Sequence, residues 1–466
     1  MPPVYGVPPT ILELQQKGLI ERAFHDGLFP NLAYRAEALA EEWPANTGTE
    51  IYMTRPGLLT PAVTPLTPGA DPVPKALVFE QWSAVLNQYG DSIDTHVPTS
   101  VTANADLFLR NIHQQGLQAG QSINRVARNA LFQSYLSGQT VLSSACIAGD
   151  TTLRVAALNG FTTVVISGTN VRPQAVSATY PLPIKVGNTT TTAVTRSVIQ
   201  TIPDNTSDPL GPGTLVLSAA IGTAFAARVA VRSSYAPRIV RAAAGASVDA
   251  IGATDTLTLQ QAINAVAFLR TANVQPHEDG FYHAHISPLA NAQVFADPVF
   301  QRLNQSLPEH ITYKEGFIGS IGGIIFFMNT ESPVAANTGT RSLSGTSTTA
   351  YYSPEINAET TNNSSVDIGR VIITGKGSLY EKYLDESQYV TEAGTTGKIG
   401  EFDIINNGVN VLTERIRLIL RAPLDRLQQK VASTWSITTS FPVPSDITAP
   451  SGPEAFKRAI VLEHAL

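Results

Sequence analysis

Residues 258–301, TLQQAINAVAFLRTANVQPHEDGFYHAHISPLANAQVFADPVFQ, together with residues 315–328, EGFIGSIGGIIFFM, carry the reading that decides the fold. Thr258 and Gln261 have capping-box spacing, so each can satisfy an amide that the first helical turn leaves open. Ala262, Ile263, Val266 and Leu269 then recur at helical steps, which predicts a helix ending before Asn273. Phe281–Ile286 reads as a strand, 289–305 as helical turns, and 315–328 as a Gly-rich apolar hairpin. Helical and strand runs both occur here, and the expected class is α+β.

Upstream, a helical pattern runs from Thr102, a candidate N-cap, to Ser137 and stops at Gly138. Phe108, Ile112, Gly116, Ala119, Ile123, Val126 and Ala130 form one apolar face of a spine about 50 Å long. Gly116 and Gly120 weaken such a helix, so close packing is expected there. Before it, Glu50–Thr54 and Leu77–Trp82 alternate like two strands around a Pro-rich tip, Arg55–Pro74. Proline fixes φ and removes ladder donors, which makes an extended hairpin rather than a compact turn. Arg55, Pro56, Leu58 and Lys75 are its candidate contacts with another subunit. Residues 1–45 hold two short helical patterns, Ile11–Lys17 and Asn31–Trp43, and read as an arm that docks on something else.

Between 147 and 240 Thr, Val, Ser and Gly dominate, and short β runs (Thr151–Ala157, Thr162–Ser167, Leu182–Val186, Ala193–Ile202, Thr214–Ser218) alternate with turn signals. An inserted β sandwich or barrel is expected. Arg228, Arg232, Arg238 and Arg241 leave it as a solvated connector. Downstream, 334–364 reads as a loop, Val366–Thr374, Glu401–Ile405 and Thr413–Leu420 as strands, and 441–466 as a tail that closes on a short helix.

Composition narrows the function. Charged residues are 15% of the chain, below the roughly 25% of ordinary domains, which suits a protein that covers much of its surface with copies of itself. A net charge of −6 argues against a dedicated nucleic-acid binder. The start MPPVYGVPPT lacks the features of a secretory signal and no apolar run reaches membrane-spanning length, so a cytosolic product without membrane partners is expected. The lone cysteine, Cys146, forms no intrachain disulfide and reads as a small buried apolar group.

Catalytic signatures are sparse. His283 and His285 share a strand face and are the candidate metal ligands, beside His277 and Asp279, but two ligands fall short of a catalytic zinc site. Ordinary half-buried strand histidines are the plainer reading. No Gly-x-Ser-x-Gly elbow occurs, and Gly316, Gly319, Gly322 and Gly323 lack the Lys-Ser/Thr and helix of a phosphate loop. No cofactor and no enzymatic activity are expected.

In order, the chain carries Leu257-Thr-Leu259 opening a helix, Asp279-Gly280-Phe-Tyr282, Ile286-Ser-Pro288, Asp297-Pro-Val-Phe300 and Gly316-Phe-Ile-Gly319-Ser-Ile-Gly322-Gly-Ile. This series resembles the axial-domain region of tailed-bacteriophage major capsid proteins with the Hong Kong 97 capsid fold. The resemblance implies an N-terminal arm (1–45), an extended loop (46–98), a peripheral domain with spine helix (99–146), an inserted β domain (147–240), an axial domain (241–345), a return to the peripheral domain (346–440) and a tail (441–466). It further implies hexamers and pentamers of an icosahedral shell around double-stranded DNA, with portal, scaffolding and decoration proteins as further partners. Relatives often end with Asp-Pro-Leu and Gly-Trp-Lys, whereas here Asp403-Ile-Ile-Asn-Asn-Gly408 stands in that region without a following Trp-Lys. A bacterial nanocompartment shell, a metal-dependent enzyme using His283 and His285, and a β-rich adhesin are the other readings.

Overall fold

The computed structural model describes residues 19–28, 32–44, 47–56, 62–65, 69, 71–72, 74, 79–96, 107–165, 170–171, 173–188, 193–243, 245–304, 320–337, 361–362, 366–384, 403–405, 408–413, 415–421, 429–446 and 456–466. The chain is α+β and divides into two compact units, Met1–Ile51 with Ser83–Arg128 and Leu379–Pro442, and Tyr52–Trp82 with Asn129–Ser378 and Val443–Leu466. Among the described residues the α-helices are α1 (Leu19–Leu28), α2 (Leu107–Tyr135), α3 (Leu259–Thr271), α4 (Pro288–Ala296) and α5 (Pro298–Asn304).

In the first unit a seven-stranded sheet is organised on Lys430–Ser440. That strand pairs along one side with Asn87–His96, from Lys430↔His96 to Thr439↔Asn87, and along the other with Ile416–Arg421 and Leu379–Tyr383. The spine α2 is anchored on this sheet by polar contacts: Gln115 donates to the Ser433 carbonyl at 2.6 Å and Asn111 to Thr95 Oγ1 at 2.8 Å. Phe108, Ile112, Ala119 and Ile123 are buried as the helical spacing predicts, but further along Ala127 and Leu131 are buried in place of Val126 and Ala130. The buried face has drifted by one residue, as a 3.6-residue period does over many turns. Thr102 lies outside the described residues, and Gly138, at φ 67°, follows the end of the helix.

Gly116 is where α1 crosses α2. A Cβ on Gly116 would fall inside contact distance of the Phe24 carbonyl oxygen, and one on Gly27 would strike the His113 carbonyl oxygen. Backbones approach this closely only where side chains are missing. Ile20, Phe24 and Leu28 are fully buried, so residues 19–28 pack within their own unit. The helix expected over Asn31–Trp43 is also corrected: Arg35–Glu37 is a 3-10 turn and Ala38–Glu42 a strand parallel to Leu379–Tyr383. Long-range contacts override the helical propensity of this Ala/Glu-rich segment. Arg35, buried, grips Glu381 with Nε at 3.0 and 3.1 Å and Nη2 at 2.7 Å, and Arg415 reaches the same carboxylate at 3.2 Å. The other early helical pattern, Ile11–Lys17, lies outside the described residues.

The second unit contains a β barrel. Its six strands run in the order Gln139–Val141, Ala230–Ser233, Leu182–Val186, Val194–Pro203, Gly213–Leu217, Thr152–Val155. Closure comes from the Leu142↔Val155 bridge and the Ala156 N–H donating to the Val141 carbonyl at 3.0 Å. Alternate residues face inward, so Leu153, Val155, Leu182, Ile184, Val186, Leu215 and Leu217 fill the interior together with Cys146. The β runs between 151 and 218 are thus present, and the first barrel strand lies before residue 147. The basic series 228–241 is not a solvated connector: Arg228 is paired bidentately with Asp249, Arg238 stacks 3.6 Å from the Phe268 ring, and Arg241 is held by Glu463.

The same unit holds an α/β layer. Its sheet runs Ile239–Arg241, Ala459–Ala465, Ile368–Thr374, Tyr282–Ile286, Ile324–Met328, Ser320–Ile321, with Val334–Asn337 paired to Ile368–Thr374 and to Thr361–Asn362. Strands therefore enter the 334–364 region that reads as loop. The tail closes on the strand Ala459–Ala465 and not on a helix. All seven of its residues are buried, as are all seven of Ile368–Thr374 beside it. A strand covered on both faces shows no alternation, which explains the misreading. Of the strand expected over Thr413–Leu420, residues 416–420 lie in the strand Ile416–Arg421, which pairs antiparallel with Gly408–Thr413, and Arg415 takes φ 68° between the two.

Candidate assembly surfaces

The residues that carry the family resemblance converge in the α/β layer, where their work is to shape backbone. Thr258 and Gln261 form the complete capping box at the start of α3. Asp279 accepts the Phe281 N–H at 3.0 Å and Gly280 takes φ 84°, making the turn into the Tyr282–Ile286 strand. The Tyr282 hydroxyl donates to the Val274 carbonyl at 2.7 Å. Ser287 caps α4, with Pro288 at its first position, where a missing N–H is harmless. Asp297, 6% exposed, serves two helices: it accepts from Val299 N at 2.8 Å in α5 and from Leu259 N at 2.7 Å at the start of α3. Phe300 is fully buried. Gly322 and Gly323, at φ 65° and 86°, form the hairpin turn, and a Cβ on Gly322 would sit 3.1 Å from Ile263. Gly316 and Gly319 lie outside the described residues.

Apolar side chains remain uncovered at one end of this layer. Ile286 and Met328 are register partners on parallel strands, and α4 begins two residues after Ile286. Phe327, Met328 and Leu289 are 38%, 65% and 40% exposed there, and Val299 at the start of α5 is 44% exposed. Large apolar groups gathered at one end of a sheet mark a surface that a partner would cover.

A second candidate surface is the hairpin of Glu50–Pro56 and Phe79–Val85. The described residues of its tip, Ala62–Pro65, Gly69, Asp71, Pro72 and Pro74, are all exposed; Leu58 and Lys75 lie outside the described residues. Pro56 is exposed, but Arg55 points back into its own chain. Its guanidinium pairs with Glu80 Oε2 at 3.0 Å and with Asp446 Oδ1. Glu80 Oε1 accepts from Asp446 N at 2.7 Å and Ser445 Oγ at 3.2 Å, and Arg458 adds a bond to Asp446 at 3.1 Å. Two guanidiniums and two carboxylates thus clamp the hairpin base to Ser445, Asp446 and Arg458. Burial works to lower the pKa of Arg55, but Asp446 and Glu80 outweigh it and raise it. Burial raises that of Glu80 against the pull of Arg55. The signal that could have found Arg55's role, a partner carboxylate almost 400 positions away, has no local trace.

His283 and His285 do share a face, since both rings pack on Phe327, at 5.0 and 5.7 Å between centroids. His283 stacks on His277 at 4.0 Å and bonds Asp279 Oδ2 through Nε2 at 2.9 Å. Asp279 is exposed, and against its slight desolvation the Phe281 amide and His283 hold its carboxyl below the usual range. His285 is 1% exposed, and among the described residues it belongs to no convergent group of three ligand-type side chains.

No family model matches the sequence, and no curated protein matches it. The chain is similar in structure to the capsid of cyanophage Pam1 (10% identity, 95% of this chain and 92% of that one, TM-score 0.48). It is likewise similar to the capsid of cyanophage P-SCSP1u (12% identity, 94% and 88%, TM-score 0.46) and to that of Ralstonia phage GP4 (11% identity, 94% and 90%, TM-score 0.43).

Proposed function

We propose that the chain is a major capsid subunit that assembles into hexamers and pentamers of an icosahedral shell enclosing double-stranded DNA, with no catalytic role. The observation that carries the reading is the hairpin: a base clamped by Arg55, Glu80, Asp446 and Arg458, and a Pro-rich tip exposed at each described residue. A stiff projection on a rigid base suits a device that overlaps a neighbour, since little ordering entropy is lost when it docks. The uncovered apolar end near Leu289, Phe327 and Met328 gives the axial layer a surface for the next copy around a capsomer. In this reading the spine α2 and the first unit's sheet form the peripheral domain, and the barrel is an insertion between peripheral and axial parts.

Assembly then rests on avidity. Many modest contacts, each made at high effective concentration once a ring exists, hold a shell that no single contact would hold. Low charge and a net −6 suit a wall that confines DNA without adhering to it, because few phosphates would be neutralised. Virion location, assembly in a host cytoplasm, and portal, scaffolding and decoration partners belong to the same proposal.

The hairpin is the place to test it. Replacing residues 58–74 by a short Gly/Ser linker keeps Arg55 and Glu80 and should leave soluble, folded subunits that form no closed particles. Normal closed particles from that variant would refute the role given to the tip.

A further inference from the structure

The barrel is the basic part of an acidic chain. Residues 147–240 hold seven Arg and Lys against three Asp and no Glu, a net of +4 where the whole chain is −6, so the remainder carries −10. Most of these cations are engaged within the second unit. Arg154 pairs with Asp204 and Arg228 with Asp249, Arg238 lies on the Phe268 ring, and Arg196 donates to the Ala220 and Thr195 carbonyls. Arg172 lies outside the described residues. Lys185 and Arg232 are left.

These two are register partners on the adjacent antiparallel strands Leu182–Val186 and Ala230–Ser233. Their strand neighbours Ile184, Val186, Val231 and Ser233 are buried, so Lys185 and Arg232 face out of the wall, and both are exposed. The outward row across four strands reads Gln139, Arg232, Lys185, Thr195, with no carboxylate in it. Side chains paired in this way stand about 5 Å apart at Cβ, where like charges repel. Among the described residues neither cation has an acidic partner: Arg232 makes one long bond, Nη2 to the Ala246 carbonyl at 3.5 Å, and the Lys185 ammonium makes none. Desolvation and the charge of Arg241 outweigh the pull of Glu463 and lower the pKa of Arg232, so Glu463, which Arg241 already holds, does not balance it. A subunit that stayed alone would be better served by a neutral residue at either position.

We propose that Lys185 and Arg232 form a docking face of the barrel for the acidic first unit of a second copy of this chain. The inference rests on the shell reading above. Two cations neutralise too few phosphates to hold a duplex, whereas the chain itself supplies the complementary charge. Glu42, Glu50 and Asp94 of the first unit are exposed carboxylates without a partner among the described residues. An exposed ion pair contributes little by itself, but a shell repeats it at every contact, and complementary charge fixes the register and the rate of encounter.

The test uses the full-length chain, with light scattering and electron microscopy to follow assembly and circular dichroism to follow folding. Lys185→Gln with Arg232→Gln should leave the unassembled subunit as stable as wild type or slightly more so, since a repulsion is gone, yet raise several-fold the protein concentration at which particles form. Lys185→Glu with Arg232→Glu should stop particle formation, and so should Glu42→Lys with Glu50→Lys and Asp94→Lys. Each reversed set alone brings like charges face to face; mixing the two variants matches them again, and particles should return. Unchanged assembly of the double Gln variant would overturn the proposal while leaving the shell reading intact. So would a lower melting temperature of its subunits, or a mixture of folded reversal variants that stays unassembled. A wild-type chain that forms no particles would remove both readings. If either reversal variant failed to fold, the double Gln variant would still decide.

Discussion

His464 should make the second unit acid-sensitive in a defined window. The imidazole is 1% exposed on the strand Ala459–Ala465, with Nδ1 2.9 Å from the Ala465 carbonyl. It fits only because residue 369 is glycine: a Cβ there would lie 2.8 Å from His464 Nε2. Burial pushes its pKa down to about 4, against small opposing pulls from the Ala465 carbonyl and Glu463. In the unfolded chain the same group takes a proton near 6.5. The contribution is therefore whole above pH 6.5 and is lost as pH falls toward 4, because the unfolded state then binds a proton that the folded state refuses. The difference amounts to about 2 kcal/mol at pH 5 and about 3 kcal/mol below pH 4. Urea unfolding of unassembled subunits at pH 7.5 and pH 5.0, for wild type and for His464→Gln, isolates it, since every other titrating group cancels between the two proteins. Wild type should lose about 2 kcal/mol more than the variant across that interval. Equal losses would mean that His464 is protonated in the folded chain and that its burial has been misread.

Two other perturbations probe the packing. Gly116→Ala gains about 1 kcal/mol of helix propensity but drives a methyl group into the Phe24 backbone; overpacking of 1–3 kcal/mol against main chain should win, lowering stability and exposing α1 to protease, whereas a rise in melting temperature would refute the close crossing. Asp297→Ala strips a cap from α5 and a bond from the first amide of α3, for an expected loss of about 2–4 kcal/mol in chemical denaturation; Asp297→Asn keeps one acceptor and should recover about half.

Local chemistry was legible in the sequence and distant chemistry was not. The Thr258/Gln261 box and the hairpin that turns at Gly322 and Gly323 are each settled within four residues, and each stands in the element that the sequence predicts. Leu182–Val186 was legible because a barrel strand has one wet face and so alternates. Ala459–Ala465 was not, since a strand buried on both faces has no period to read. Ala38–Glu42 reads as helix in isolation and becomes strand because Leu379–Tyr383 offers it a ladder and Glu381 holds Arg35. The same limit governs the candidate surfaces. The Pro-rich tip announces itself, but that Arg55 turns inward to Asp446, and that Arg228, Arg238 and Arg241 are engaged in the fold, depends on partners far along the chain.

Electron microscopy of the full-length chain expressed alone, with size-exclusion chromatography of the same preparation, tests the central claim most directly. The account predicts closed shells, tubes or capsomer rings built from this subunit. A monomer that stays monodisperse at high concentration and forms none of these would contradict it.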